Sequence, residues 1–406
     1  MNVPDLPNPQ RRAIDIVREV AVEKGIRPFL VGGPVRDLLL GRSAFDIDLT
    51  VEVDSSDLAR SLAKRLNGRV KSFPQFLTYK VTAAQMPEID IATARKERYR
   101  KPGALPTVAA GKLKDDLMRR DFSINAIALD VIDNKLHDPT RGEDDLRNRL
   151  VRILHPQSFL DDPTRIYRAI RLACRLHFEL EGETCKRMRE AIDGGALETV
   201  SRERIWREVF LAMEEEDAPA VLAEMAKRGA LDVLFGHREA DRALLDAAQQ
   251  QLAANGELDR EVMYTAALLH GDASPIELEG SGFSQRRARN VVQIANELAR
   301  YSDALAEAKS ERQRLRVLKH ASPEMLSVLA ATVPDRRSEV ARYAEFQNFK
   351  LPLRGNDLEV PGGPHVARAL ERTREAVFVG EIAPDEARRY AKDLAIKYLN
   401  ELKIEN

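Results

Sequence analysis

Residues 29–53, FLVGGPVRDLLLGRSAFDIDLTVEV, constrain this chain more than any other stretch. Phe29, Leu30 and Val31 form an apolar run that stops at Gly32-Gly33. Pro34 suits the first turn of a helix, where its missing N–H would be unpaired anyway. Val35, Leu38 and Leu39 give that helix an apolar face, and Gly41 ends it. The pattern predicts strand, glycine turn, helix. It leaves backbone N–H groups beside a helix N-terminus with Arg36 one turn in, which is an anion site. In the next run, strand alternation sets Phe45, Ile47 and Leu49 on one face and Asp46 and Asp48 on the other. Two carboxylates two residues apart on one strand face can share divalent metal ions. A phosphate cradle followed by a metal-holding pair reads as triphosphate chemistry. Either half alone is commonplace; their order, with Asp46 ten residues after Arg36, is what carries the reading.

The remaining sequence fits a soluble, mainly helical protein of 406 residues, 44% hydrophobic and 32% charged, with 5% aromatics. The two cysteines, Cys174 and Cys185, make no metal spacing and suit a reducing compartment. No apolar run reaches 18 residues and the N-terminus lacks a basic start and an apolar core, so a cytoplasmic protein without membrane spans is expected. A net charge of −1 means that a nucleic-acid partner would be held by local patches.

Residues 9–24 carry helical periodicity, and a second helix follows Ser55 or Ser56 with Leu58, Leu62 and Leu66. Short strands are predicted near 69–72 and 76–83. Glu88-Ile89-Asp90-Ile91-Ala92 alternates again. Asp90 is either a third carboxylate beside Asp46 and Asp48, holding metal or accepting a proton, or a solvated strand residue; strand order decides. RKERYRK at 95–101 and the proline- and glycine-bearing PGALP after it predict a mobile loop. A helix is expected over 113–128, with Asp121 and Asn125 on one face. In DDPTRIYRAIRLACRLH (161–177), Asp161 would cap a helix that places Asp162, Arg165 and Arg168 on one face, with Arg171 slightly round. An ionised Asp only accepts and an Arg only donates, so the pair Asp162–Arg165 complements the amino-and-ring-nitrogen edge of cytosine and adenine and mismatches uracil and guanine. Further on, Arg204 and Glu208 form an i, i+4 pair.

The glycine turn with its Asp-x-Asp strand, RRDFSINA (119–126), DDPTR (161–165) and VSRERIWREVFLAM (200–213) together resemble the class II tRNA nucleotidyltransferases and bacterial poly(A) polymerases of the polymerase-β superfamily. The resemblance is strong over 28–212, fair over 350–385 and weak between. It implies a small α/β head with a mixed sheet (1–137), then an all-α neck (138–212), body (213–325) and tail (326–406), in a seahorse-like array. It implies template-independent addition of CCA, from CTP and ATP, to a tRNA 3′ end, with no protein partner required. It assigns Mg²⁺ to Asp46 and Asp48, the triphosphate to Gly32, Gly33, Arg36 and Arg120, and base selection to Asp162 and Arg165. Asp121 and Asn125 would lie near the sugar, and Arg168 and Arg171 along the triphosphate or base edge. Asp161 departs mildly from the Glu usual there. The segment 95–112 corresponds to a loop that helps relatives switch from C to A. Its full length counts against a CC-only enzyme, while A-only addition stays open; the chain lacks the long basic C-terminus usual in poly(A) polymerases. His-Gly-Asp at 270–272 lacks the His-Asp phosphohydrolase pattern. His137 and Trp206 are read as structural, and the basic stretches 285–289 and 312–320 as solvated faces.

Overall fold

The computed structural model describes residues 8–42, 47–271 and 273–404. The chain divides into two compact units, 1–238 and 239–406.

The first unit opens with α1 (Asn8–Lys24), whose Ala13, Ile14, Val17, Val20 and Ala21 are buried as their periodicity requires. Strand β1 (Pro28–Val31) leads into α2 (Gly33–Leu39), then β2 (Ile47–Val51) and α3 (Ser55–Arg65), capped by the Asp54 carboxylate. Next come β3 (Arg69–Phe73), β4 (Thr78–Thr82) and β5 (Ile89–Thr93). Strands β6 (Arg95–Arg98) and β7 (Thr107–Ala110) pair as an antiparallel ribbon, so the segment expected as a loop has a stem of its own. After α4 (Leu113–Met118), strands β8 (Ala128–Asp130) and β9 (Leu136–His137) complete a seven-stranded sheet of order β3-β4-β5-β2-β1-β8-β9.

That sheet has two unlike faces. Ile47, Leu49, Val51, Val81, Ile89 and Ile91 are buried on the face where α3 packs, with Leu58 and Leu62. Asp48 and Asp90 alternate to the opposite face. Strand β5 runs parallel to β2, which the crossover through α3, β3 and β4 makes possible.

The helix expected over 113–128 is corrected to one and a half turns. It stops at Met118; Phe122 is extended and bridges Ile153, and Ala128 already pairs with Val31 of β1. Two competing partners win: the Asp121 carboxylate takes the Phe122 N–H at 2.9 Å, and β1 needs β8 to complete its ladder. Asp121 and Asn125 still meet, at 3.0 Å, through a 3-10 turn. The turn after β9 is built on Asp138, which accepts the N–H groups of Gly142 and Glu143. His137 packs edge-on against Phe29.

Helices follow: α5 (Gly142–Arg147), α6 (Ser158–Asp161), α7 (Thr164–Leu176), α8 (Gly182–Asp193), α9 (Arg202–Met213) and α10 (Ala218–Lys227). Trp206 of α9 is 1% exposed and packs on Phe210 and Phe235 at 5.2 and 5.4 Å.

The described residues of the second unit are helices and short 3-10 turns. Asp241, Asp259, Ser284, Ser310 and Ser322 cap successive helices with their side chains. Cations of the two basic stretches turn inward to ion pairs: Arg287 with Asp259 and Glu261, Arg312 with Glu381, Arg314 with Glu339, Lys319 with Glu375. Among the described residues no helix is long and apolar enough to cross a membrane.

Because Trp206 sits in the middle of an aromatic cluster, Trp206→Ala should cost about 3–5 kcal/mol. Urea unfolding followed by circular dichroism measures it; a loss below about 1 kcal/mol would show that the cluster does not hold the first unit together.

Candidate active site

Gly32 has φ +76°, and a Cβ there would lie 2.6 Å from Nη1 of Arg120. The guanidinium therefore rests directly on the turn, and a side chain at this positive φ would be strained and would have to displace it. Gly32 caps α2 without a side-chain acceptor, and Pro34 lies in the first turn as expected. Arg120 gives Nη2 to the fully buried Asp116 at 3.0 Å, and its Nε is buried without a hydrogen-bond partner in the structure. An orphaned donor beside bare helix N–H groups is what an anion would satisfy. Arg36 is buried; it holds Asp37 with Nε and Nη2 and donates Nη1 to Asn125 at 2.7 Å.

A cleft of about 130 Å³ opens beside these groups. Arg36, Asp121 and Asn125 line one side, and Arg168, Arg171 and Arg175 of α7 the other. Asp121 is buried and holds Arg168 with two hydrogen bonds, at 3.0 and 2.6 Å. Burial pushes its carboxyl pKa up, but the Arg168 charge and the Asn125 amide overcome that and lower it to about 2.

The parallel register sets Asp90 directly beside Asp48, which answers the strand-order question. Lys80 of β4 lies opposite Asp90, 3.5 Å from its carboxylate and 2.6 Å from Glu88. The hydrogen bond it donates to Glu88 raises the Lys80 pKa, so the lysine keeps its charge. Asp46 lies outside the described residues. Two carboxylates side by side repel unless a cation lies between or near them, and that donor chemistry suits a hard divalent ion.

At the entrance to α7 the expected geometry changes. Asp161 ends the short α6 and does not cap α7. Asp162, extended at φ −137°, accepts instead from the N–H and hydroxyl of Thr164. It thus stands off the helix rather than on its face. Arg204 of α9 reaches across to it at 3.0 Å, and with its other amino group to the carbonyl of Gly103 at 2.7 Å. Arg204 and Glu208, expected as a pair along one helix, each find a partner on another element, since Glu208 accepts from Arg171 of α7. Arg165 is 5% exposed and donates to Ser158 Oγ and the Arg119 carbonyl, with Tyr99, just past β6, 3.5 Å away. Arg171 pairs with Glu208 and Glu215, and Arg175 with Glu215. The charge imbalance along α7 is thus offset by acids from α9 and the turn after it.

Sequence reasoning missed Glu97, Tyr99, Asp116, Arg119, the reach of Arg204 to Asp162, and Glu215. Glu97 accepts from Arg95, Arg119 and Tyr99, so the ribbon stem is tied to α4 and to the neighbourhood of Arg165. Asp116, four residues before Arg120 with Arg119 three residues away, carried a readable helical-pair signal. Glu215 carried none, because its partners are 40 and more residues away.

The Asp121 pKa is depressed on folding. Its contribution to stability is therefore complete above the ordinary carboxylate range and disappears as pH falls from about 4 toward 2. Asp121→Asn should flatten the acid limb of a stability–pH profile over that window by about 2 kcal/mol, measured by urea unfolding; an unchanged limb would mean the pair carries no net stability.

Comparison with known proteins gives the site its lineage. Residues 28–152 match the poly A polymerase head domain, and 177–244 match the probable RNA and SrmB-binding site of polymerase A. The A-adding tRNA nucleotidyltransferase of Geobacter sulfurreducens is 30% identical over 96% of this chain and 48% of its own length. The multifunctional CCA protein of Neisseria gonorrhoeae (strain NCCP11945) is 36% identical over 60% of this chain and 62% of its own. The chain spans 23% to 62% of the length of the curated relatives it matches. A solved CCA-adding enzyme in an apo form shares the fold with a TM-score of 0.84, at 24% identity, covering 97% of this chain and 96% of that one. With its mixed-sheet head and cation-lined cleft, the chain carries the poly A polymerase head domain over residues 28–152 and shares the fold of solved CCA-adding enzymes.

Proposed function

We propose that this chain transfers nucleotides from a nucleoside triphosphate to the 3′ end of tRNA, working in the cytoplasm. The observation that carries it is the joining of two half-sites in one unit: a glycine turn with Arg36 and Arg120, and the paired Asp48 and Asp90. The triphosphate lies against Gly32 and Gly33, with Arg36 and Arg120 on its oxygens. Arg168 and Arg171 extend the cationic wall. The acceptor 3′-oxygen bonds to the α-phosphorus, the bond to the bridging oxygen breaks, and pyrophosphate leaves with that electron pair. In this reading Asp90 would take the hydroxyl proton. Asp46 and Asp48 are the residues that would hold Mg²⁺, which when bound lowers the hydroxyl pKa and neutralises leaving-group charge. Asp162 and Arg165 read the base, and Arg204 fixes Asp162 against the ribbon. In outline we divide the chain as head 1–137, neck 138–212, body 213–325 and tail 326–406.

Terminal A addition is the first reading, since a curated relative that aligns over 96% of this chain is named A-adding. Addition of all of CCA from CTP and ATP, the expectation from sequence, is the second. The multifunctional CCA relative favours it, while the full-length segment 95–112 speaks only against CC addition.

Purified protein, Mg²⁺ and tRNA transcripts ending before CCA, after C and after CC distinguish them, with CTP or ATP supplied singly and together. A-only addition extends just the CC-ended transcript, with ATP. Full addition lengthens the shortest transcript by three nucleotides when both are present. No extension of any transcript would overturn the tRNA assignment. Asp48→Ala should lower the rate at least about 10³-fold; a variant that keeps its rate would remove Asp48 from the site.

Arg204→Ala should release Asp162 and relax base choice, raising misincorporation of UMP or GMP roughly 5- to 100-fold, as expected for one unmatched polar group. Single-turnover rates with each nucleotide measure it. Loss of rate with every nucleotide and unchanged selectivity would make Arg204 a scaffold residue only.

A further inference from the structure

The open face of the sheet carries a row of side chains that begins at the site's carboxylates and continues outward through two lysines that the nucleotide site does not use. In register across four strands stand Lys71 of β3, Lys80 of β4, Asp90 of β5 and Asp48 of β2. Residues in register point to the same face, and at about 4.8 Å per strand the row runs roughly 14 Å. The opposite face is buried against α3. The outer end of the row is cationic and aromatic. Arg69 shares a face with Lys71, Lys71 stands over the ring of Phe73 at 5.1 Å, and residues 69–72 are exposed. Arg95 stands over Phe76 at 6.0 Å and donates to its carbonyl, leaving that ring 42% exposed.

We propose that this row is the track along which the unpaired 3′ end of the RNA acceptor reaches the carboxylates. The inference rests on the nucleotidyl-transfer reading and names the path of its second substrate. The charge gradient fixes both occupant and direction. Phosphates belong over Arg69 and Lys71, and bases can stack on Phe73 and Phe76, the combination that holds single strands without sequence preference. Glu88, Asp90 and Asp48 disfavour phosphates of the strand wherever no cation offsets them, so the inner end suits the terminal ribose, whose hydroxyl is uncharged until it reacts. Lys80, already paired with Glu88 and Asp90, separates the two regions.

The test uses the full chain, a 5′-labelled unstructured oligoribonucleotide and fluorescence anisotropy across a salt series, without nucleotide. The double variant Arg69→Ala/Lys71→Ala should bind at least about tenfold more weakly, with a salt slope lower by roughly 0.7 for each phosphate that is no longer neutralised. Lys71→Arg should retain affinity. Phe73→Leu should weaken binding without changing the slope. In turnover with tRNA and ATP, the double variant should raise the KM for tRNA and leave the KM for ATP in place. Unchanged affinity and slope in a double variant with native circular dichroism would overturn the track, as would failure of the wild type to bind the oligoribonucleotide. Extension of no tRNA by a wild type that binds the oligoribonucleotide through Lys71 would instead sink the nucleotidyl-transfer reading and leave the surface standing.

Discussion

Two like charges held one strand apart are the constraint around which the head is arranged. Parallel pairing of β2 with β5 puts Asp48 beside Asp90, and water or cations must offset that repulsion. Parallel neighbours cannot be joined by a tight turn, so α3, β3 and β4 make the connection. The same detour fills the buried face with α3, and puts β3 at the sheet edge. One pairing choice thus sets the carboxylates, the core behind them and the edge that leads to them.

A second charged system works differently. Asp116 is fully buried between Arg119 and Arg120, and Glu97 ties Arg119 to the ribbon. Burial raises the Asp116 pKa, and the two guanidinium groups overcome that and lower it. A buried charge with two partners is costly to break, since removing one partner leaves another uncompensated. The network therefore fixes Arg120 where it lies on Gly32, and leaves its Nε orphaned beside the turn.

Much of this was legible in the sequence where the signal was local. The glycine turn, the Asp strand, the amphipathic α1 and the buried Trp206 each follow from periodicity or from one residue's stereochemistry. The extent of the helix from Leu113 did not, because β8 is drawn into the sheet by β1, a partner almost 100 residues away. Nor did the acids that face α7. Glu208 and Glu215 are close to Arg171 only through folding, and no spacing rule reports them. The base-reading pair shows both sides: its chemistry was readable from Asp162 and Arg165, while the extended backbone that lifts Asp162 off the helix is held through Arg204 and Gly103.

The lone tryptophan has a practical consequence. Trp206 belongs to the first compact unit, and no other residue of that type occurs in the chain. Intrinsic emission excited in its absorption band is therefore a spectroscopic label for residues 1–238, while 239–406 is dark in that channel. A signal averaged over both units, set against this one, reads out whether they melt together or in turn, with no dye attached.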